Sequence, residues 1–174
     1  PKLPQSEETC MLEMPNGDKH EIPIYAPVIG PKALDGSVLS KKTGMYTYDP
    51  GFTSTASCVS QITYIDGDIG QLLYRGYSID EIAENCTFLE TCFLLMYGDL
   101  PNKEQLATFE EKVMDEMLVH EKIKDFYKGY ESNAHPMSIM CGVVGALAQF
   151  FTDNMDIKDP KQRENTAIKL IAKF

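Results

Sequence analysis

Residues 70–83, Gly70-Gln71-Leu72-Leu73-Tyr74-Arg75-Gly76-Tyr77-Ser78-Ile79-Asp80-Glu81-Ile82-Ala83, carry the change of period on which the fold turns. Gly70 to Tyr74 reads as a strand returning from the turn Asp66-Gly67-Asp68, after the β-rich run Ser57 to Ile65, so a hairpin is predicted here. Past Tyr77 the apolar spacing becomes helical. Ser78 stands as N-cap ahead of the next apolar run, and Glu81, three residues on, completes a capping box. The chain therefore reads as β-rich before this junction and helical after it.

Upstream, Thr9 to Tyr25 alternates weakly about Pro15-Asn16-Gly17-Asp18, and Asn-Gly between two such runs signals another hairpin. Residues 26–43 show no period and read as a linker or extended arm. Downstream, Phe88 to Tyr97 is apolar nearly all round, which predicts a buried helix stopped by Gly98. Asn102 caps the next helix, where Leu106, Phe109, Val113 and Met117 recur at spacings of three and four. Shorter helical patterns run from His120 to Tyr130 and, after Pro160, from Arg163 to Lys173. Pro136 to Phe151 is the most membrane-like stretch. It falls short of the ~20 apolar residues of a spanning helix, is interrupted by Gly142 and Gly145, and reads as a buried helix. No repeat or low-complexity segment is present. The last amphipathic pattern stops at Phe174 without a cap, so the functional unit is expected to extend further. The predicted organisation is a hairpin and linker over 1–47, followed by the first part of a helical domain over 48–174, with a mainly α fold class.

With 174 residues and 43% apolar content the chain is long enough for a real core. A formal charge of −10 repels phosphodiester backbones and anionic lipid, so neither nucleic acid nor a membrane surface is an expected partner. The five cysteines, Cys10, Cys58, Cys86, Cys92 and Cys141, are odd in number and widely spaced, which favours reduced thiols in an intracellular compartment. No Cys-x-x-Cys pair occurs and His20, His120 and His135 lie far apart, so no metal site is expected. The first ten residues hold neither an apolar h-region nor an Arg-rich amphipathic segment. The expected location is the cytoplasm, or the mitochondrial matrix if a presequence has been removed.

Four groups of residues invite a chemical reading. Asp66-Gly67-Asp68 offers two carboxylates, but Asp and Gly suit a hairpin turn without further purpose. The glycines of Gly67 and Gly70 precede a strand rather than a helix, so no phosphate-cradling loop follows. Arg75, between aromatics, is expected to make a structural ion pair. His135 before Pro136 is expected to cap or pack the long apolar helix, since no Ser, Cys or carboxylate stands ready to form a triad with it. His120 beside Glu121 reads as a solvated helix feature. No catalytic set emerges from the residues themselves.

Four segments, in order, resemble citrate synthases of the bacterial type: Tyr48-Asp49-Pro50-Gly51-Phe52-Thr53-Ser54-Thr55-Ala56-Ser57; Tyr64-Ile65-Asp66-Gly67-Asp68 through Tyr77; Phe88-Leu89-Glu90 through Pro101; and His135-Pro136-Met137 through Leu147. The resemblance spans essentially the whole chain and implies the N-terminal portion of the family's large helical domain, bundle-like, with a small β-rich region ahead of it. It implies condensation of acetyl-CoA with oxaloacetate and hydrolysis of the citryl thioester. That mechanism needs an aspartate to take a proton from the acetyl methyl, one histidine to polarise the thioester carbonyl, another to protonate the oxaloacetate carbonyl, and arginines to clamp carboxylates. In the family these lie beyond the point matching Phe174, so no catalytic, cofactor-binding or metal residue is carried onto this chain. Acetyl-CoA is a co-substrate of the complete enzyme rather than a bound cofactor here, and the implied assembly is a homodimer or higher homo-oligomer. Two alternatives stay open: a 2-methylcitrate synthase using propionyl-CoA, and a short non-catalytic paralogue with a structural or dimerisation role. Some bacterial members are inhibited by NADH through cationic residues where this chain has Asp115 and Glu116, although Lys169 and Lys173 keep basic character at other matching positions. Carboxylates there would repel a pyrophosphate.

Overall fold

The structure, a computed structural model, describes residues 5–151 and 156–174. The segment read for an apolar h-region or an Arg-rich helix, the first ten residues, falls in part on residues 1–4, outside those described. The described chain is mainly helical, with seven α-helices, one short 3₁₀ turn and two small sheets. It divides into two compact units, residues 1–86 with 94–99, and residues 87–93 with 100–174.

The first unit opens on the expected hairpin. Strands β1 (Gln5–Glu13) and β2 (Lys19–Tyr25) pair antiparallel with Glu13 opposite Lys19. The loop between them closes because Gly17 adopts φ +88°, which a side chain would oppose, and because Asn16 accepts the Asp18 N–H at 3.1 Å. The arm expected over 26–43 is instead ordered. Strand β3 (Ala33–Leu34) adds to β2, and helix α1 spans Gly36–Thr43. Few apolar residues give α1 no readable period; its ends create it. Asp35 accepts the Ser37 N–H at 3.0 Å at the start, and Gly44 in the left-handed region (φ +71°) closes the other end.

The second hairpin forms with a shorter first strand than predicted. Strand β4 is Thr63–Asp66, β5 is Gln71–Tyr74, and residues 57–62 are not strand. A third strand, β6 (Tyr77–Ser78), folds back on β5 through a two-residue turn whose Arg75 and Gly76 both have positive φ, 53° and 96°. Helix α2 (Ile79–Asn85) begins at Ser78, but the predicted capping box does not form: Ser78 makes no side-chain cap bond, being in the ladder opposite Leu73. The box appears one helix later. Thr87 Oγ1 accepts the Glu90 N–H at 3.3 Å while the Glu90 carboxylate accepts the Thr87 N–H at 2.7 Å, opening α3 (Phe88–Tyr97). That N–H, with the Thr87 hydroxyl behind it, lowers the Glu90 pKa. Gly98 stops α3 as expected, at φ +102°. The all-round burial predicted for α3 does not hold: Leu94 is fully buried, but Phe88 remains 73% exposed.

In the second unit Asn102 and Gln105 form a complete capping box on α4 (Lys103–Asp115), whose Phe109 and Val113 are buried. Phe109 meets Phe93 edge to face at 5.6 Å. The helix ends before Met117, which points to solvent. Helix α5 is Ile123–Lys128, α6 is Pro136–Leu147 continued by a 3₁₀ turn Ala148–Phe150, and α7 is Pro160–Lys173. Ile123, Val143 and Leu147 form a buried cluster with Tyr130, Ile139, Phe150 and Phe151 packed around it. The two glycines of α6 have different surroundings. A Cβ on Gly142 would lie 1.8 Å from the Tyr130 hydroxyl, whereas one on Gly145 meets nothing within 4 Å.

Gly142→Ala must displace a ring held in the core, so it is expected to cost about 1–3 kcal/mol in urea denaturation, while Gly145→Ala should gain about 0.5–1 kcal/mol from helix propensity. A second prediction concerns Asp49, half-buried in the irregular segment before β4. The Thr55 hydroxyl at 2.5 Å and the Ser54 N–H at 3.1 Å, joined by Thr53, pull its pKa from the ordinary 3.8 down to about 2. Because the folded-state value is depressed, this carboxylate stabilises the fold above the unfolded pKa and ceases to as pH falls through the folded one. Acid titration of the melting temperature should therefore fall less between about pH 4 and about pH 2 in Asp49→Asn than in wild type.

Candidate functional site

The hairpin carboxylates prove to be turn chemistry. Asp66 accepts the N–H groups of Asp68 at 3.0 Å and Ile69 at 3.4 Å, an arrangement that closes the loop on itself. Arg75 departs from expectation, because no ion pair to it is present among the described residues. Its guanidinium donates to the Gln61 carbonyl at 3.2 Å and the Leu95 carbonyl at 2.7 Å. Leu95 lies in the last turn of α3, where carbonyls lack helical partners and the dipole is negative, so the helix end replaces the carboxylate. Arg75 Nε is buried without a hydrogen-bond partner.

His135 caps α6 as expected: Nδ1 accepts the Met137 N–H at 3.1 Å, with Pro136 in the first turn. His120 is not on a helix, since α5 begins three residues later. Its Nδ1 accepts the Lys122 N–H at 3.1 Å and its ring stacks on Phe150 at 4.7 Å. Both imidazoles are thus occupied with local structure.

The residues that do converge lie between α4, the end of α6 and α7. Lys169 and Lys173, one turn apart on α7, place their Nζ atoms 5.1 and 5.0 Å from the centre of the Phe151 ring. Glu116, just past α4, holds a carboxylate oxygen 3.8 Å from each. The Lys173 side chain is 2% exposed; its ammonium donates to the carbonyls of Glu116 and, at 3.1 Å, of Leu118. A buried ammonium needs such acceptors, and these carbonyls lie at the C-cap of α4 and in the segment just beyond it. Beside the lysines is a cavity of about 150 Å³, walled by Val144, Leu147, Ala148, Phe151 and Leu170. One lysine is consumed by backbone carbonyls, and both face a carboxylate already in place.

The family resemblance set Glu116, Lys169 and Lys173 at positions of one site, but Phe151 and the cavity beside it were not read from the sequence. Two lysines at helical spacing are the cluster's sequence trace, yet Phe151 stands 18 residues before Lys169 and Glu116 more than fifty before Lys173, too far for any local pattern. Among the described residues no group of three or more His, Cys, Asp or Glu side chains is placed to hold a metal ion, and no helix is long and apolar enough to cross a membrane.

Comparison with known proteins identifies the fold. The family model described as "Citrate synthase, C-terminal domain" matches residues 51–174. The citrate synthase of Thermotoga maritima MSB8 superposes with a TM-score of 0.58 and 28% identity, covering 73% of this chain and 32% of its own. That of Pyrobaculum aerophilum covers 99% of this chain and 38% of its own, with a TM-score of 0.62 and 23% identity. The ternary complex of carboxymethyl coenzyme A and oxaloacetate with the enzyme of the thermophilic archaeon Thermoplasma acidophilum gives a TM-score of 0.63 and 22% identity, over 70% of this chain and 32% of that one. The chain thus spans about a third of the length of the structures it matches. Two small antiparallel sheets leading into capped helices, and a family match over residues 51–174, place this chain in the citrate synthase family.

Proposed function

We propose that this chain serves a citrate synthase, which joins the acetyl methyl of acetyl-CoA to the carbonyl carbon of oxaloacetate and releases citrate and CoA. The observation that carries the reading is the family match across residues 51–174. The chain is taken as the N-terminal portion, supplying helical framework, while the acid, base and arginine groups lie elsewhere. Those positioned groups account for the rate enhancement of such a condensation. The purified 174-residue chain should therefore release no CoA thiol from acetyl-CoA plus oxaloacetate above the buffer rate; turnover by it would overturn the site assignment. The completed protein should turn over, with a higher kcat/KM for acetyl-CoA than for propionyl-CoA. The reverse preference would make it a 2-methylcitrate synthase, and inactivity with both would favour the non-catalytic paralogue.

The reading includes a homodimer formed through α6. On this helix Val143 and Leu147 are buried, while Met137, Cys141, Val144, Gly145 and Ala148 make an exposed stripe at helical spacing. Gly142 is already matched to Tyr130 within the unit, which leaves Gly145, whose added Cβ would meet nothing within 4 Å, as the point where a second backbone can approach. In a twofold interface such a patch meets its own copy. Gly145→Leu in the completed protein should shift sedimentation velocity from dimer towards monomer, because the added side chain overpacks the contact. An unchanged dimer with a lowered melting temperature would instead place Gly145 against its own chain.

A further inference from the structure

The loop joining β1 to β2 carries the only Asn-Gly pair in the sequence, Asn16-Gly17. Such a pair is chemically labile. The backbone nitrogen after an asparagine can attack the side-chain amide carbon, and glycine, lacking Cβ, leaves the approach unobstructed. At Gly17 nothing lies within 4 Å of where a Cβ would stand, and both residues are exposed to water. The hydrogen bonds of the loop nevertheless occupy every group the reaction needs. The Gly17 N–H, whose nitrogen would be the nucleophile, donates to the Met14 carbonyl at 2.9 Å. The Asn16 amide is fixed at both ends by Asp18: its Oδ1 accepts the Asp18 N–H at 3.1 Å, and its Nδ2 donates to the Asp18 carboxylate at 2.7 Å. The Met14 N–H closes the loop on the Asp18 carbonyl at 2.8 Å, beside the pair of Glu13 and Lys19.

We propose that Asn16 is a deamidation site held closed by Asp18, so that it reacts only when the hairpin loop opens. In the open loop the Gly17 nitrogen gives its proton to solvent hydroxide and forms a bond to Asn16 Cγ. The Cγ–Nδ2 bond breaks, and the nitrogen takes a proton from water and leaves as ammonia. Water then opens the resulting succinimide at either carbonyl to give aspartate or isoaspartate, and nothing is oxidised or reduced. The product opposes reclosure. A carboxylate replaces the amide that donated to Asp18, which sets two like charges where a charge-assisted hydrogen bond stood. Isoaspartate also lengthens by one methylene a loop whose length fixes the register of Glu13 opposite Lys19. The step converts a reversible local opening into a permanent one. The inference does not depend on which acyl-CoA the protein uses.

Incubating the full 174-residue chain at neutral pH and mapping its peptides by mass spectrometry tests this. Folded wild type should convert Asn16 at least tenfold more slowly than the same chain held unfolded in urea. Asp18→Ala removes the carboxylate that holds Nδ2 and should speed conversion in the folded chain severalfold. Asp18→Asn removes the same charge but keeps an oxygen that can accept from Nδ2, and should stay close to the wild-type rate. Conversion of folded wild type as fast as in urea overturns the proposal, and so does an Asp18→Ala variant no faster than wild type. Equal acceleration by Asp18→Asn assigns the effect to charge alone and overturns it too. Should Asp18→Ala fail to fold by circular dichroism, Asp18→Ser takes its place under the same criterion.

Discussion

The packing of Val143 and Leu147 against Ile123 is the contact from which the second unit is organised. Burying these side chains fixes the rotation of α6, and that rotation decides what the helix does with its other residues. Gly142 is turned under the Tyr130 hydroxyl, which an added Cβ would have to displace. Phe150 and Phe151, carried at the end of the same helix, are delivered to different partners, the His120 ring and the two lysines of α7. An apolar contact thereby sets the geometry of a polar cluster, because close-packed interiors leave side chains few positions to occupy.

Two cations in the structure are spent on backbone rather than on acids. Arg75 reaches a carbonyl in the last turn of α3, and Lys173 reaches carbonyls at and beyond the end of α4. Each gives a charged donor to acceptors that the helix itself cannot satisfy, and such bonds are stronger than neutral ones. Arg75 does so from a left-handed backbone conformation that costs a non-glycine residue free energy.

Five helix starts, by contrast, are settled locally. Asp35, Asn102, His135 and Asp159 each accept an N–H two or three residues ahead, and Thr87 does the same within its box. In α1 these end signals suffice without an apolar face: none of its residues is buried, yet it is closed by Asp35 at one end and Gly44 at the other. A search for periodicity passes over such a helix, which is why residues 26–43 read as an arm.

The sequence by itself determined the order of β and helical regions, the Asn16-Gly17 hairpin, the Gly98 stop, the Asn102 and His135 caps and the family, since each rests on neighbouring residues or on long ordered matches. It misread what depends on distant groups. Ser78 carried the motif of a cap, but strand pairing took its place in the ladder; Arg75 had no carboxylate to find, because α3 brought a helix end to it. From the residues alone the pocket behind Phe151 was beyond reach for the same reason, and only the family resemblance related Glu116 to Lys169 and Lys173. Glu116, Phe151, Lys169 and Lys173 acquire their relation only when α4, α6 and α7 pack, and which charges face one another is decided by that packing.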